Sequence, residues 1–212
     1  MSVINIPESL RNLLEEIGNS KPEAEETILI TRFGRKFEQL FLGFTLPDEA
    51  NLIFKGDQYI TFAGALEEVR ELQFEGYDPK NPSEGCNREF FESIRSFLPS
   101  SKDDLELLIT MGTRMDFWHG ADAVICWRGV SVTIDLTVDP QKISREDADF
   151  LLKTGETFDS KRVAKADILI RPLDLESGKV YSSIAREIVV MLLSRWRCNF
   201  ERESFFYFSQ GG

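Results

Sequence analysis

The stretch Ala121-Asp-Ala-Val-Ile-Cys-Trp-Arg-Gly-Val-Ser-Val-Thr-Ile-Asp-Leu-Thr-Val138 alternates in side-chain character on both sides of Arg128-Gly129. A two-residue turn there pairs Trp127 with Val130, and counting outward brings Asp122 directly opposite Asp135. Facing residues of an antiparallel pair have Cβ atoms about 4.5–5.5 Å apart, and like charges so placed destabilise the sheet. The hairpin therefore demands a compensating charge. Period-two alternation also sorts it into two faces. Ala123, Ile125, Trp127, Val130, Val132, Ile134, Leu136 and Val138 form a core face, while Asp122, Val124, Cys126, Ser131, Thr133, Asp135 and Thr137 share the other.

Working outward, Arg88–Phe97 and Lys102–Met115 read as helices before the hairpin. Ser144 reads as the N-cap of a helix running to Lys153, Ala166–Ile170 as a short strand, and Ser182–Cys198 as a strong final helix carrying Ile184, Ile188, Leu192 and Trp196. A strand–helix–strand return of this kind predicts a parallel pair. Upstream, Pro7–Ile17 reads as an amphipathic helix. Thr27–Phe33 with Phe37–Phe44, and Asn51–Lys55 with Tyr59–Phe62, read as two hairpins about Gly34-Arg35 and Gly56-Asp57. Ala65–Phe74 reads as a helix, and Gly76–Cys86, with Pro79 and Pro82, as a loop or boundary. The fold class expected is α+β with an α/β-like core: a mixed β-sheet with flanking helices over residues 86–212. An acidic, antiparallel β-rich region over residues 1–85 precedes it, either separate or continuous with the core.

The chain has 212 residues, a net charge of −11 and a pI near 4.7. Residues 1–114 hold 21 acidic and 12 basic side chains, so the negative charge is concentrated in the N-terminal half, a candidate surface for a protein partner. A low pI argues against indiscriminate nucleic-acid binding. A local basic groove remains open to Lys161, Arg162, Lys165, Arg171, Arg186, Arg195, Arg197 and Arg202. Three scattered cysteines read as reduced thiols, and His119 is the only histidine, which disfavours cysteine or serine nucleophile chemistry. With no apolar run of membrane-spanning length and no signal-peptide pattern, the chain reads as cytoplasmic.

Two facing carboxylates are hard oxygen donors suited to Mg²⁺ or Mn²⁺, whose charge would relieve their repulsion. Together, Gly120-Ala-Asp122 on the first strand, Asp135-Leu136-Thr137 on the second, and the surrounding order of helices and returning strand resemble the PD-(D/E)XK nuclease superfamily, over roughly residues 88–198. The resemblance implies a restriction-endonuclease-like core and a metal-dependent phosphodiester hydrolase acting on DNA or RNA. It assigns the cation to Asp122 and Asp135, with an acidic residue on the preceding helix, Glu106 or Asp116, as a further ligand.

Thr137 departs from the family by standing where the motif lysine belongs, and it or its backbone is expected to complete the metal's shell. The resemblance lets another lysine, Lys142, Lys161 or, preferably, Lys165, supply the cation. The alternative function is a catalytically inactive nuclease-fold protein serving as a regulatory or interaction subunit. The bland reading of the two aspartates is a solvated or edge-capping face paired with Arg128 or Lys165. For His119 a structural role is favoured, for Arg186, Arg195 and Arg197 a solvated helix face, and for the aromatic tail Phe200–Phe208 a strand or subunit interface.

Overall fold

The hairpin closes at Arg128-Gly129 with Trp127 paired to Val130, and the register continues to Ala123 opposite Ile134. Both turn residues have positive φ, 49° at Arg128 and 76° at Gly129. That is the backbone of a type I′ turn, whose twist matches the flanking strands. The computed structural model describes residues 26–42, 59–82, 85–99, 101–139, 142–143, 162–171 and 179–209, with the single positions 12 and 15.

Its elements are α1 (Glu26–Leu42), α2 (Phe62–Glu71), α3 (Gly85–Phe97), a 3-10 turn (Lys102–Asp104), β1 (Leu105–Ile109), α4 (Arg114–His119), β2 (Ala123–Trp127), β3 (Val130–Leu136), β4 (Lys142–Ile143), β5 (Arg162–Val163), β6 (Ile168–Ile170) and α5 (Lys179–Ser209). The main sheet has the order β1-β2-β3-β6. Its first three strands run antiparallel, and β6 returns parallel to β3. The expected mixed sheet with flanking helices is therefore present.

The core face of the hairpin is buried as its alternation predicts. Ile125, Trp127, Val132 and Ile134 pack in one cluster with Phe37 and Phe41 of α1, Phe90, Phe91 and Ile94 of α3, and Ile184, Ile188 and Leu192 of α5. The opposite face is not solvated. Val124, Cys126 and Leu108 pack there against Ala65 and Val69 of α2 and Met115 of α4. Helices cover both faces, so even the polar positions Asp122, Thr133, Asp135 and Thr137 are buried.

Four expectations are overturned. Thr27–Phe33 and Phe37–Phe44 do not form a hairpin, because α1 runs straight through Gly34. Phe33, Phe37, Leu40 and Phe41 recur at helical spacing, and burying that stripe outweighs the turn signal of one glycine. The antiparallel N-terminal region is absent among the described residues, since Tyr59–Thr61 is irregular and Phe62 opens α2. The helix expected at Lys102–Met115 is instead the 3-10 turn, β1 and α4. Leu105, Leu107 and Ile109 on one face of β1, with Leu108 on the other, give a strand buried on both sides, whose near-continuous apolar run resembles a helix segment. Finally, the Phe200–Phe208 tail continues α5 rather than forming a strand. The helix expected at 7–17, apart from the helical positions 12 and 15, the helix at 144–153, the strand at 51–55 and Lys161 lie outside the described residues.

β1 is an edge strand, and its free side is occupied. Leu107 donates its N–H to the Pro79 carbonyl at 2.9 Å, and the Tyr77 hydroxyl donates to the Leu107 carbonyl at 2.8 Å. Gln73 accepts from Ile109 N–H at 3.1 Å and donates to its carbonyl at 3.0 Å. The connection after α2 thereby stops β1 from templating another strand.

Candidate functional site

At Asp122 the β2–β3 ladder gives way to side-chain bonding. The Asp122 N–H donates to the Ile134 carbonyl at 2.8 Å, while its carboxylate Oδ2 accepts the Leu136 N–H at 2.6 Å. A carboxylate thus stands where a strand carbonyl would otherwise pair. The next residue of β3 outward from Ile134 is Asp135, and both acids lie at the end of the hairpin remote from its turn.

α4 adds a third acid. Thr113 caps this short helix by accepting the Met115 N–H, and Gly120 ends it at φ 60°, its N–H donating to the Asp116 carbonyl. Within it, the Asp116 carboxylate accepts the Gly112 N–H at 3.0 Å. A fourth acid, Glu38, comes from α1. These groups line one open cleft of about 360 Å³ with Gly34, Arg35, Gly120, Thr137, Val138 and Lys142.

The compensating charge demanded by the facing aspartates is Lys142. Its ammonium forms an ion pair with Asp135 Oδ2. β4 pairs Lys142 beside Arg162 of β5, and the Arg171 guanidinium donates to the Lys142 carbonyl, so the lysine backbone is held from two sides.

Four acids facing two bases leave the cleft electronegative, and burial makes each carboxylate harder to ionise. Asp122 is raised well above the usual range by burial, then by the charges of Glu38, Asp116 and Asp135, against the Leu136 N–H. Burial also raises Asp116 and Asp135, more than the Gly112 N–H lowers the first or Lys142 the second. Burial, followed by Asp116 and Asp135, lifts Glu38 to about 7 against the opposing pull of Arg35 and Lys142.

The predicted site residues divide sharply. Asp122, Asp135 and Thr137 meet in this cleft, but Thr137 serves its wall: its N–H donates to the Ile170 carbonyl and its hydroxyl accepts the Asp139 N–H. Glu106 does not join them. It lies on β1, not on a helix, opposite Cys126 near the turn end of the hairpin, paired with Arg70 at 3.3 Å and Lys80 at 4.0 Å. Of the two acids offered as a further ligand, Asp116 is the one in the cleft.

Lys165, the preferred cation, lines a different cleft. Its ammonium lies 3.4 Å from the Trp118 carbonyl oxygen, and Lys142 is the lysine that reaches the aspartates. Glu38 was missed because its segment reads as a strand; the phenylalanine spacing of α1 was the available signal. Cys126 is buried and its thiol is pushed up to about 12 by that burial, so it is no nucleophile.

Among the described residues, no group of three or more His, Cys, Asp or Glu is gathered closely enough to hold a metal ion. The donors have the chemistry for a hard cation: all are oxygens, with excess negative charge. Among the described residues, no helix is long and apolar enough to cross a membrane. Comparison with protein-family models, curated proteins and solved structures finds no match for this chain.

Proposed function

We propose that this chain is a metal-dependent phosphodiester hydrolase acting on nucleic acid, with a restriction-endonuclease-like core. One observation carries the reading: Asp122, Asp135 and Lys142 share a single cleft, the lysine in ion contact with the second aspartate. This is the acid, acid and cation set of the resemblance, with the cation coming from β4 rather than from the position of Thr137. A helix directly before the β2–β3 hairpin, α4, and a β6 that returns parallel to β3 support the same fold.

Asp122 and Asp135 are the two carboxylates that would hold Mg²⁺ or Mn²⁺, an ion that keeps several waters and needs only one or two protein carboxylates. The ion would polarise a phosphoryl oxygen and lower the pKa of a bound water. The remaining roles belong to the chain. Lys142 neutralises Asp135 and offers a positive charge to a phosphate entering the cleft. Glu38, with its carboxyl near 7, exchanges a proton close to neutral pH.

Calorimetry with Mn²⁺, run beside a cleavage assay on labelled single- and double-stranded oligonucleotides, tests this. Binding heat and cleavage are expected from the wild type, with cleavage falling about 10²-fold or more in Asp135→Asn and in Lys142→Ala. Absence of both heat and cleavage from folded wild-type protein would sink the hydrolase reading. The inactive interaction subunit would then be favoured, with Lys142–Asp135 as a structural ion pair.

A further inference from the structure

A second cleft, of about 380 Å³, opens on the other side of the α4–β2 junction, lined by Phe62, Trp118, His119, Ser131, Thr133, Lys165, Asp167 and Arg195. Its composition is the inverse of the first. One acid faces two bases here, and that acid is already committed: Asp167 takes both guanidinium nitrogens of Arg195, at 2.7 and 2.9 Å, and the Thr133 N–H at 2.9 Å. Lys165 has no carboxylate partner among the described residues. It is the positive charge this cleft has to offer.

Phe62, Trp118 and His119 supply its rings, and further aromatic side chains pack behind them. Tyr59 packs edge-on to Trp118 at 5.7 Å, Phe117 edge-on to Trp118 at 5.0 Å, and Phe62 edge-on to His119 at 5.5 Å. The His119 Nε2 lies 3.2 Å from the Ile60 carbonyl oxygen, which fixes the ring in this array. Tyr59 and Phe117 remain largely exposed, at 65% and 55% of their accessible surface. Among the described residues, the Trp118 indole N–H is buried without a hydrogen-bond partner.

The two clefts adjoin. Trp118 and His119 line one and Gly120 the other, while a Cβ on Gly120 would come within 3.3 Å of the Lys165 side chain. Lys165 therefore lies along the boundary between them. We propose that the second cleft holds one nucleotide of a single-stranded nucleic acid, its base against the Trp118–Phe62 aromatic wall and its phosphate toward Lys165. A neighbouring phosphate then enters the acidic cleft. Aromatic stacking needs an unpaired base, so the pocket selects single strands over duplex without reading sequence. This deepens the hydrolase reading and rests on it.

The test is anisotropy binding of labelled oligothymidine and oligouridine, and of a duplex of equal length, to the full chain in EDTA, where cleavage plays no part. Wild-type protein is expected to prefer the single strands. Trp118→Leu should weaken that binding about tenfold and Trp118→Phe should recover most of it. Lys165→Glu should weaken it as well, with a shallower salt dependence. Equal affinity for strand and duplex, or wild-type binding by both Trp118→Leu and Lys165→Glu, overturns the proposal. If Trp118→Leu fails to fold by circular dichroism, the exposed Lys165 decides alone. Cleavage that survives in Trp118→Leu but not in Asp135→Asn, with strand binding unchanged, would remove the stacking pocket and leave the hydrolase reading standing.

Discussion

Asp122 does two opposing things in the same few ångströms. Its charge sits among three other carboxylates, Asp135 buried and Glu38 and Asp116 half-buried, yet its Oδ2 is the acceptor that satisfies the Leu136 N–H. Substitutions separate the two roles. Without metal at pH 8, Asp122→Asn keeps an oxygen for Leu136 and removes a charge, so it should raise stability. Asp122→Ala strands a buried N–H and should lower stability by about 1–3 kcal/mol. Urea denaturation gives the order, and a more stable alanine variant would show that repulsion, not the hydrogen bond, dominates. Arg195 teaches a similar lesson. Its sequence position suggests a solvated helix face, but in the fold it forks onto Asp167. Burial alone would raise the Asp167 carboxyl, and Arg195 with Thr133 outweighs that and holds it below the usual range.

Among the elements, the hairpin was legible and the helices were not uniformly so. Alternation around a glycine turn specifies strands, register and the core face, because a one-residue slip would carry every core side chain to the opposite face. Gly129 at φ 76° is part of that specification, and a Cβ there meets no atom within 4 Å. Gly129→Ala should therefore cost about 1–2 kcal/mol from backbone strain alone, read as a lower urea midpoint with an unchanged slope. A loss well below that range would mean the turn relaxes to another type. β1 and α1 were misread for opposite reasons. A strand covered on both faces loses its alternation, and a helix carrying a mid-run glycine looks like a turn. In both cases the packing partner, not local preference, decides the outcome.

Across the whole molecule, the four-acid cleft stores electrostatic strain that varies with pH. Glu38 rises from an ordinary value of 4.5 to about 7, and Asp116, Asp122 and Asp135 are also raised, with Arg35 and Lys142 as the opposing charges. Raised acids bind more protons folded than unfolded, so their contribution is fully present below the unfolded values and is lost as pH climbs through the folded ones. Between pH 5 and 8 this cluster should lower Tm as pH increases. If the metal reading is right, millimolar Mn²⁺ at pH 8 should recover the loss, since a ligand for the folded state alone stabilises it. A shallower fall of Tm across that range in the Asp122→Asn, Glu38→Gln double variant than in the wild type would tie the slope to these groups. A wild type that gains stability toward pH 8 would contradict it.

The sequence by itself determined the hairpin, its turn, its core face and the placing of Asp122 and Asp135 together at the end remote from the turn. These follow from period-two geometry over 18 consecutive residues and need no distant contact. It also suggested the parallel return of β6 and named Asp116 and Lys142 among alternatives. Only the tertiary structure decided which alternatives meet. Glu38 lies 84 positions before Asp122, and it reaches the cleft because α1 buries Phe37 and Phe41 against α3 and the sheet. Lys142 rather than Lys165 reaches Asp135 because β4 is anchored by β5 and Arg171, whereas Lys165 is held across Gly120 at the second cleft. Spacing along the chain constrains what can be neighbours within one element, and burial of apolar surface between elements decides the rest.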